Sequence, residues 1–131
     1  SIELRIPPDI SVDVDRQRFQ QVLVNLVKNA ADALAEEGRI QIAAWRQLSA
    51  EGHATSIEIE DNGHGIPAAD LPRIFDPFFT TKEVGKGTGL GLFVAHEIVT
   101  QHGGTLTATS EPGRRTRFLI HLPDIAELNE A

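Results

Sequence analysis

The stretch GKGTGLGL, residues 85–92, contains the densest glycine cluster in the chain. Four of the eleven glycines lie here, at every second position, directly before an apolar helical pattern. Such a stretch leaves backbone N–H groups available and directs a helix N-terminus at whatever lies in front of it, which suits phosphate oxygens. A single glycine motif is weak, so the stretch alone is equally compatible with a flexible hinge.

Asn25, Asn29 and Asp32 share one face of a predicted helix, because they are spaced i, i+4 and i+7. An amide oxygen on such a face could be held toward a hard cation, and Mg²⁺ prefers oxygen ligands. The alternative is that these amides lie at the edge of the core and bond to neighbours or water.

The stretch DNGHGIP, residues 61–67, follows an alternating apolar pattern. Gly63 and Gly65 indicate either a backbone that approaches a ligand closely or an ordinary turn. Further along, IFDPFFTTK (residues 74–82) begins an aperiodic segment that carries Lys82 and Lys86. Their ammonium groups could meet phosphates there or remain solvated.

Several common sites are excluded. The P-loop pattern fails because Gly85-Lys86 is followed by Gly87, and a zinc H-E-x-x-H motif fails because Thr100 follows His96-Glu97 at the required position. Gly63 to Ala68 matches G-x-G-x-x-A, but Pro67 fits a dinucleotide-binding βαβ unit poorly.

The net charge of −7 argues against a nucleic-acid surface, and the absence of cysteine excludes disulfides. With no apolar run of eighteen residues, we expect a cytoplasmic protein.

Two amphipathic helices are predicted to carry these residues. Asp15 is a candidate N-cap for a helix that runs to about Glu37 and stops at Gly38, and a second helix is predicted over residues 90–102. The apolar stripe of the first helix is Phe19, Val22, Leu23, Leu26, Val27, Ala30 and Leu34.

Alternation predicts strands at residues 39–45 and 55–61 and a terminal hairpin around Glu111-Pro112-Gly113. A short helix is predicted within residues 68–74, followed by a long loop to Gly89. The fold class is therefore an α/β (α+β) two-layer sandwich, a mixed sheet with helices on one face. We expect one domain over residues 1–123 and a weakly ordered tail over 124–131.

Taken in order, the four motifs resemble one family. NLVKNAADAL (25–34), DNGHGIP, IFDPFFTTK and GKGTGLGL are similar to the N, G1, F and G2 boxes of sensor histidine kinases, most closely the nitrogen-regulation and oxygen-sensing branch. The resemblance is to their catalytic ATP-binding domain, of the superfamily shared with gyrase, Hsp90 and MutL, and covers nearly the whole chain. It implies a Bergerat fold with a mobile ATP lid.

The resemblance also implies roles at the base. Asp61 would accept a hydrogen bond from the adenine amino group, and Gly63 and Gly65 would let the backbone pass close to the base. Ile66 and Thr116 would line the same pocket, whereas His64 is expected to face solvent.

At the phosphates, the resemblance implies that Asn29 ligates Mg²⁺ and, with Lys82, serves catalysis. Asn25 and Asp32 would lie beside the triphosphate, with Lys86 close by. Phe75 and Phe78 would anchor the start of the lid, and Phe78 would also belong to the cofactor-binding residues. The remaining cofactor-binding positions lie in the last motif, where N–H groups would meet the β and γ phosphates: Gly87, Thr88, Gly89, Leu90 and Gly91.

Asn25 departs from the ATPase branch of the superfamily, which carries a glutamate there as general base. An amide cannot act as a base, so the pattern favours phosphoryl transfer over hydrolysis. A second departure is Arg115 within GRRT, where many relatives have glycine.

The resemblance implies a protein-histidine kinase whose acceptor lies on a separate dimerisation domain of the same kinase. His96-Glu97 imitates the acceptor dipeptide, but follows the last motif, and we reject it. A response regulator would act downstream, and the isolated domain is expected to be monomeric, without membrane contact. Whether the parent kinase is membrane-anchored stays open. The alternatives are a protein-serine kinase of the same superfamily and an ATPase or nucleotide-sensing module.

Overall fold

The computed structural model describes residues 2–8, 10, 12, 14–49, 52–79 and 89–124. Its elements in chain order are β1 (Ile2–Arg5), α1 (Arg16–Ala33), β2 (Ile40–Ser49), β3 (Gly52–Asp61), a 3₁₀ helix (Leu71–Arg73), α2 (Gly91–Gln101), β4 (Thr105–Glu111) and β5 (Arg115–Pro123).

The five strands form one mixed sheet in the order β1-β2-β3-β5-β4. β1 pairs with β2 in parallel, and the other neighbours are antiparallel. Because β5 lies between β3 and β4, the C-terminal end of β3 lies beside the turn that joins β4 and β5, although the two are distant in sequence.

Both helices pack on one face of the sheet, as the sequence predicts. The stripe of α1 supplies four buried residues, and α2 supplies three more above β4 and β5. The buried core combines these with sheet residues, and consists of Phe19, Val22, Leu26, Ala30, Ile40, Ile59, Ile74, Ala95, Ile98, Val99, Leu106, Phe118, Ile120 and Leu122. The predicted two-layer sandwich is confirmed.

The first helix begins as predicted but ends earlier. Asp15 caps it, since its Oδ1 accepts from the Arg18 N–H at 3.1 Å. The predicted end near Glu37 is wrong, because α1 ends at Ala33 and Leu34 turns into an extended conformation. The carbonyl of Ala33 instead accepts from the His64 N–H at 3.1 Å. This carbonyl would have to accept an intrahelical hydrogen bond if α1 continued for another turn.

Other boundaries also differ. β2 and β3 are longer than the predicted segments, and β3 already begins at Gly52. The short helix within 68–74 is reduced to the 3₁₀ turn. The division into residues 1–123 and a tail stays a prediction, since residues 125–131 lie outside the described residues.

Candidate functional site

Asp61, the last residue of β3, has a buried carboxylate with one unused oxygen. Its side chain is 2% exposed, and Oδ1 accepts from the Gly63 N–H at 2.9 Å. Oδ2 is buried with no hydrogen-bond partner. Burial raises the pKa of Asp61, and the bond from Gly63 opposes that shift. A buried acceptor without a donor is costly, so this oxygen marks a place for a donor from outside the chain.

Thr116 lies directly opposite Asp61 on β5 and is equally buried. Ser110 on β4 is in turn the register partner of Thr116, and their hydroxyl oxygens are 3.1 Å apart. The three polar side chains thus form one row across β3, β5 and β4. Thr116 was expected from the sequence, whereas Ser110 was missed. The available signal was a hydroxyl on the inward side of a strand that otherwise places Leu106 and Ala108 there.

The loop of residues 62–66 is held at both sides by backbone contacts. The His64 N–H donates to Ala33, and its carbonyl accepts from the Gly113 N–H at 2.6 Å. The His64 side chain is exposed, as expected, with Nδ1 2.7 Å from the carbonyl oxygen of Gly65.

The two glycines of this loop have a structural reason of their own. A Cβ at Gly63 would lie 2.3 Å from the Ala33 carbonyl oxygen. A Cβ at Gly65 would lie 2.6 Å from the Glu111 carbonyl oxygen, and Gly65 has φ +76°. At both positions, the absence of a side chain lets another segment of the protein backbone approach closely. That these glycines also make room for a nucleotide base stays a prediction.

On α1, Asn25 and Asn29 lie in different surroundings. Asn25 donates through Nδ2 to the carbonyl of Gly91 at 3.0 Å and accepts from Gln21 Nε2 at 2.7 Å. Asn29 is half-buried, and its side chain makes no hydrogen bond to any residue that the structure describes. Asp32 is exposed on the same helix. Asn29 is thus the one of these three that combines partial burial with an amide oxygen available to a cation.

The glycine-rich motif is described from Gly89 onward. The Phe78 N–H donates to the Gly89 carbonyl at 2.8 Å, which brings the two ends of the intervening segment together. Gly89 has φ +71°, and a Cβ there would lie 2.3 Å from the Phe78 carbonyl carbon. Leu90 precedes α2 without a side-chain cap, and Gly91 starts the helix beside Asn25. The predicted residues Lys82, Lys86, Gly87 and Thr88 lie outside the described residues.

Phe75 and Phe79, rather than Phe75 and Phe78, anchor the start of that segment. Phe75 contacts the rings of Phe118 and His96, with centroids at 6.3 and 4.9 Å. Phe79 packs against the core under the guanidinium of Arg73. Phe78 is 72% exposed, so anchoring by its side chain is wrong. Its φ of 67° turns the ring away while its N–H pairs with Gly89.

Arg115 lies on the opposite face of the sheet from Thr116. It pairs with Glu111 at 2.8 Å and Glu60 at 3.4 Å, and neighbouring strand residues point to opposite faces. The departure at this position therefore leaves the Asp61 side of the sheet unaffected.

The chain matches the family model described as "Histidine kinase-, DNA gyrase B-, and HSP90-like ATPase" over residues 14–126. It is 45% identical over 132 residues to the sensor kinase CckA of Brucella abortus, covering 92% of the chain and 14% of that protein. Among solved structures, the catalytic domain of the histidine kinase ThkA is similar with a TM-score of 0.78 and 33% identity, covering 94% of the chain and 80% of that domain. Full-length ShkA in complex with AMPPNP is similar with a TM-score of 0.75 and 26% identity, covering 93% of the chain and 25% of ShkA.

Proposed function

The chain belongs to the family of histidine kinase-, DNA gyrase B- and HSP90-like ATPases, and we propose that it binds Mg²⁺-ATP and transfers the γ-phosphoryl group to a histidine on a separate dimerisation domain of a sensor kinase. The observation that carries the proposal is the buried, unpaired Oδ2 of Asp61. An exocyclic amino group of adenine would supply the missing donor.

Adenine would lie against the row formed by Asp61 and Thr116. Asp61 accepts from the amino group, and Gly63 holds the other carboxylate oxygen so that Oδ2 keeps its direction. Ile66 and Gly65 would border the same space from the loop after β3. The similar structure of full-length ShkA is a complex with AMPPNP, which supports the binding of an adenine nucleotide by this chain.

The triphosphate would extend from there toward the N-terminus of α2. That helix begins at Gly91 without a side-chain cap, and its first N–H groups and positive end favour phosphate oxygens. Lys82, Lys86, Gly87 and Thr88 stay predicted phosphate contacts, together with Gly89 and Leu90. Lys82 would act as a point charge on the transferred group.

Asn29 is the residue of this chain that would hold Mg²⁺. Its amide oxygen suits a hard cation, and no described residue occupies it. When bound, Mg²⁺ would supply charge neutralisation on the phosphate oxygens. Asp32 is near enough in sequence, one helical turn on, to add negative charge to the same side of α1.

Transfer rather than hydrolysis follows from Asn25. The oxygen of the Asn25 amide accepts from Gln21, and its nitrogen donates to the carbonyl of Gly91. An amide cannot take a proton from water, so Asn25 cannot act as a general base for hydrolysis. Phosphoryl transfer needs mainly positioning and charge neutralisation, which the residues above can provide.

The partners would come from a longer protein. The chain spans 14% of the length of CckA and about a quarter of ShkA, so the activity of a whole kinase is part of the proposal. A dimerisation domain would present the acceptor histidine, and a response regulator would receive the phosphoryl group. No helix in the described part of the chain is long and apolar enough to cross a membrane. We place the domain in the cytoplasm, as a monomer in isolation.

The test is to mix the chain with the dimerisation domain of its parent protein and ATP labelled at the γ-phosphate. We expect acid-labile, base-stable label on the dimerisation domain, and none when its histidine is replaced by alanine. An acid-stable label would instead support a protein-serine kinase. Release of labelled phosphate without transfer would support an ATPase.

A further inference from the structure

The hydroxyl of Ser110 joins the loop after β3 to the terminal hairpin. Its Oγ accepts from the Ile66 N–H at 2.7 Å, donates to the carbonyl of Arg115 at 2.8 Å, and lies 3.1 Å from Thr116 Oγ1. Ser110 and Ile66 are 44 positions apart in the chain. Three contacts use the full capacity of a hydroxyl, which has one proton and two lone pairs.

Counting protons determines the direction of the bond between Ser110 and Thr116. The carbonyl of Arg115 can only accept, so the single Ser110 proton is donated there. The Ile66 N–H can only donate, so it uses one lone pair of Ser110. The remaining lone pair must accept the proton of Thr116.

Thr116 then has no proton left for a ligand. It is 2% exposed and faces Asp61 in the register, where Oδ2 is also an unpaired acceptor. A group that contacts this row from the pocket therefore meets acceptors on both β3 and β5. It has to bring donors, as an amino group does, whereas a carbonyl oxygen would meet lone pairs.

We infer that Ser110 is a positioning residue that holds Thr116 as a hydrogen-bond acceptor and thereby sets the preference for a purine with an amino group over one with a carbonyl group at C6. This inference rests on the proposed function, because it assumes that the nucleotide base lies against Asp61 and Thr116. Ser110 acts through Thr116 and through the Ile66 backbone, without contacting the base.

The experiment compares the affinities of ATP and inosine triphosphate, which carries a carbonyl at C6, by titration calorimetry on the same protein. Ser110→Ala frees the Thr116 proton, which can then be donated to that carbonyl. We expect the preference for ATP to fall about three- to tenfold, the scale of one hydrogen bond. Ser110→Thr keeps the hydroxyl and is expected to keep the preference of the unsubstituted chain.

Two controls separate positioning from folding. Thr109→Ala removes a hydroxyl from the adjacent, exposed position of β4 and is expected to leave the preference unchanged. In a Thr116→Val background, Ser110→Ala is expected to have no further effect on the preference, because the residue through which it acts is gone. If Ser110→Ala shows no cooperative unfolding transition, Ser110→Cys makes the same test, since a thiol bonds only weakly.

The inference is overturned if Ser110→Ala weakens both nucleotides equally, or if its effect on the preference persists beside Thr116→Val. Failure of the unsubstituted chain to bind ATP would overturn the proposed function, and this inference with it. A chain that binds ATP but shows the same preference in every variant overturns the inference alone.

Discussion

At the scale of single residues, the buried Asp61 oxygen without a hydrogen-bond donor lowers the stability of the fold, and such a costly group can indicate a ligand. In the described part of the chain, Asp61 Oδ2 and Arg117 Nε are the buried side-chain atoms without a hydrogen-bond partner. Arg117 still pairs with Glu58 through its NH2 group at 2.9 Å. In Asp61 the Gly63 N–H satisfies only Oδ1, so the carboxylate keeps no ion pair with any described residue and Oδ2 stays a buried acceptor at the end of a strand.

Replacing Asp61 with asparagine should weaken ATP binding by about 1.5–3 kcal/mol, because the amide offers an N–H where the adenine amino group needs an acceptor. Calorimetry on folded protein measures this loss. Asp70→Asn is the matched control, since Asp70 makes no cap through its side chain at the 3₁₀ helix. An unchanged ATP affinity in Asp61→Asn would show that the base lies elsewhere.

Because of Asp61, ATP affinity and the free energy of unfolding should change in opposite directions as the pH changes. Burial raises its pKa in the folded chain, so its contribution to stability is present below the unfolded pKa and lost as pH rises through the folded pKa. In the proposed site the adenine amino group needs the ionised carboxylate, so ATP affinity should fall as pH drops through the same raised pKa. Denaturant unfolding and calorimetry across pH, each compared with Asp61→Asn, measure the two trends. Parallel pH trends in both variants would exclude Asp61 as their source.

At the scale of elements, the loop of residues 62–66 is positioned between the end of α1 and the turn between β4 and β5. Gly63 contacts α1, and Gly65 passes over Glu111 and Pro112. The same loop supplies the N–H of Gly63 to Asp61 and the N–H of Ile66 to Ser110. Backbone groups of this loop thus hold both ends of the polar row on the sheet, at Asp61 and at Ser110.

Gly65→Ala should destabilise the chain more than Gly113→Ala. Both glycines have positive φ, +76° and +79°, so alanine costs about 1–2 kcal/mol of strain at each. A Cβ at Gly113 meets nothing within 4 Å, whereas at Gly65 it meets backbone at 2.6 Å and adds an overpacking cost of about 1–3 kcal/mol. Urea unfolding of both variants measures the difference. Equal losses would mean that the close approach at Gly65 relaxes freely.

At the scale of the whole molecule, one face of the sheet carries the core and the other carries a group of ion pairs. Phe118 is fully buried under the helices and contacts Phe75 at the base of the segment that leads to the glycine-rich motif. The opposite face holds the ion pairs of Arg115 and Arg117 with Glu58, Glu60 and Glu111. The core that stabilises the fold is therefore also the support of the candidate site.

Phe118→Ala should lower the free energy of unfolding by about 3–5 kcal/mol, because it leaves a cavity between sheet and helices. Leu119→Ala, the next residue of β5, lies on the other face and is half-buried, so it should cost less than about 2 kcal/mol. Urea unfolding compares the two. Similar losses would indicate that both faces of the sheet are packed.

The sequence by itself determined the helices, their apolar faces, the Asp15 cap and the order of the four motifs. These features depend on residues within a few positions of one another, such as the 3.6-residue stripe of α1 or an aspartate three residues before the amide it caps. The inward placement of Asp61 also follows from alternation along β3.

Only the tertiary structure decided where α1 ends, that Phe79 rather than Phe78 packs on the core, and which loop Ser110 bonds to. The first and the last depend on a partner far along the chain, since the Ala33 carbonyl accepts from His64 and Ser110 bonds to Ile66, whereas Phe79 is selected by its packing on the assembled core. Local propensity carries no information about such pairs, because they form only after β5 has been placed between β3 and β4. The physical reason is that a hydrogen bond between distant segments is chosen by the packing of whole elements, and periodicity within one element cannot specify it.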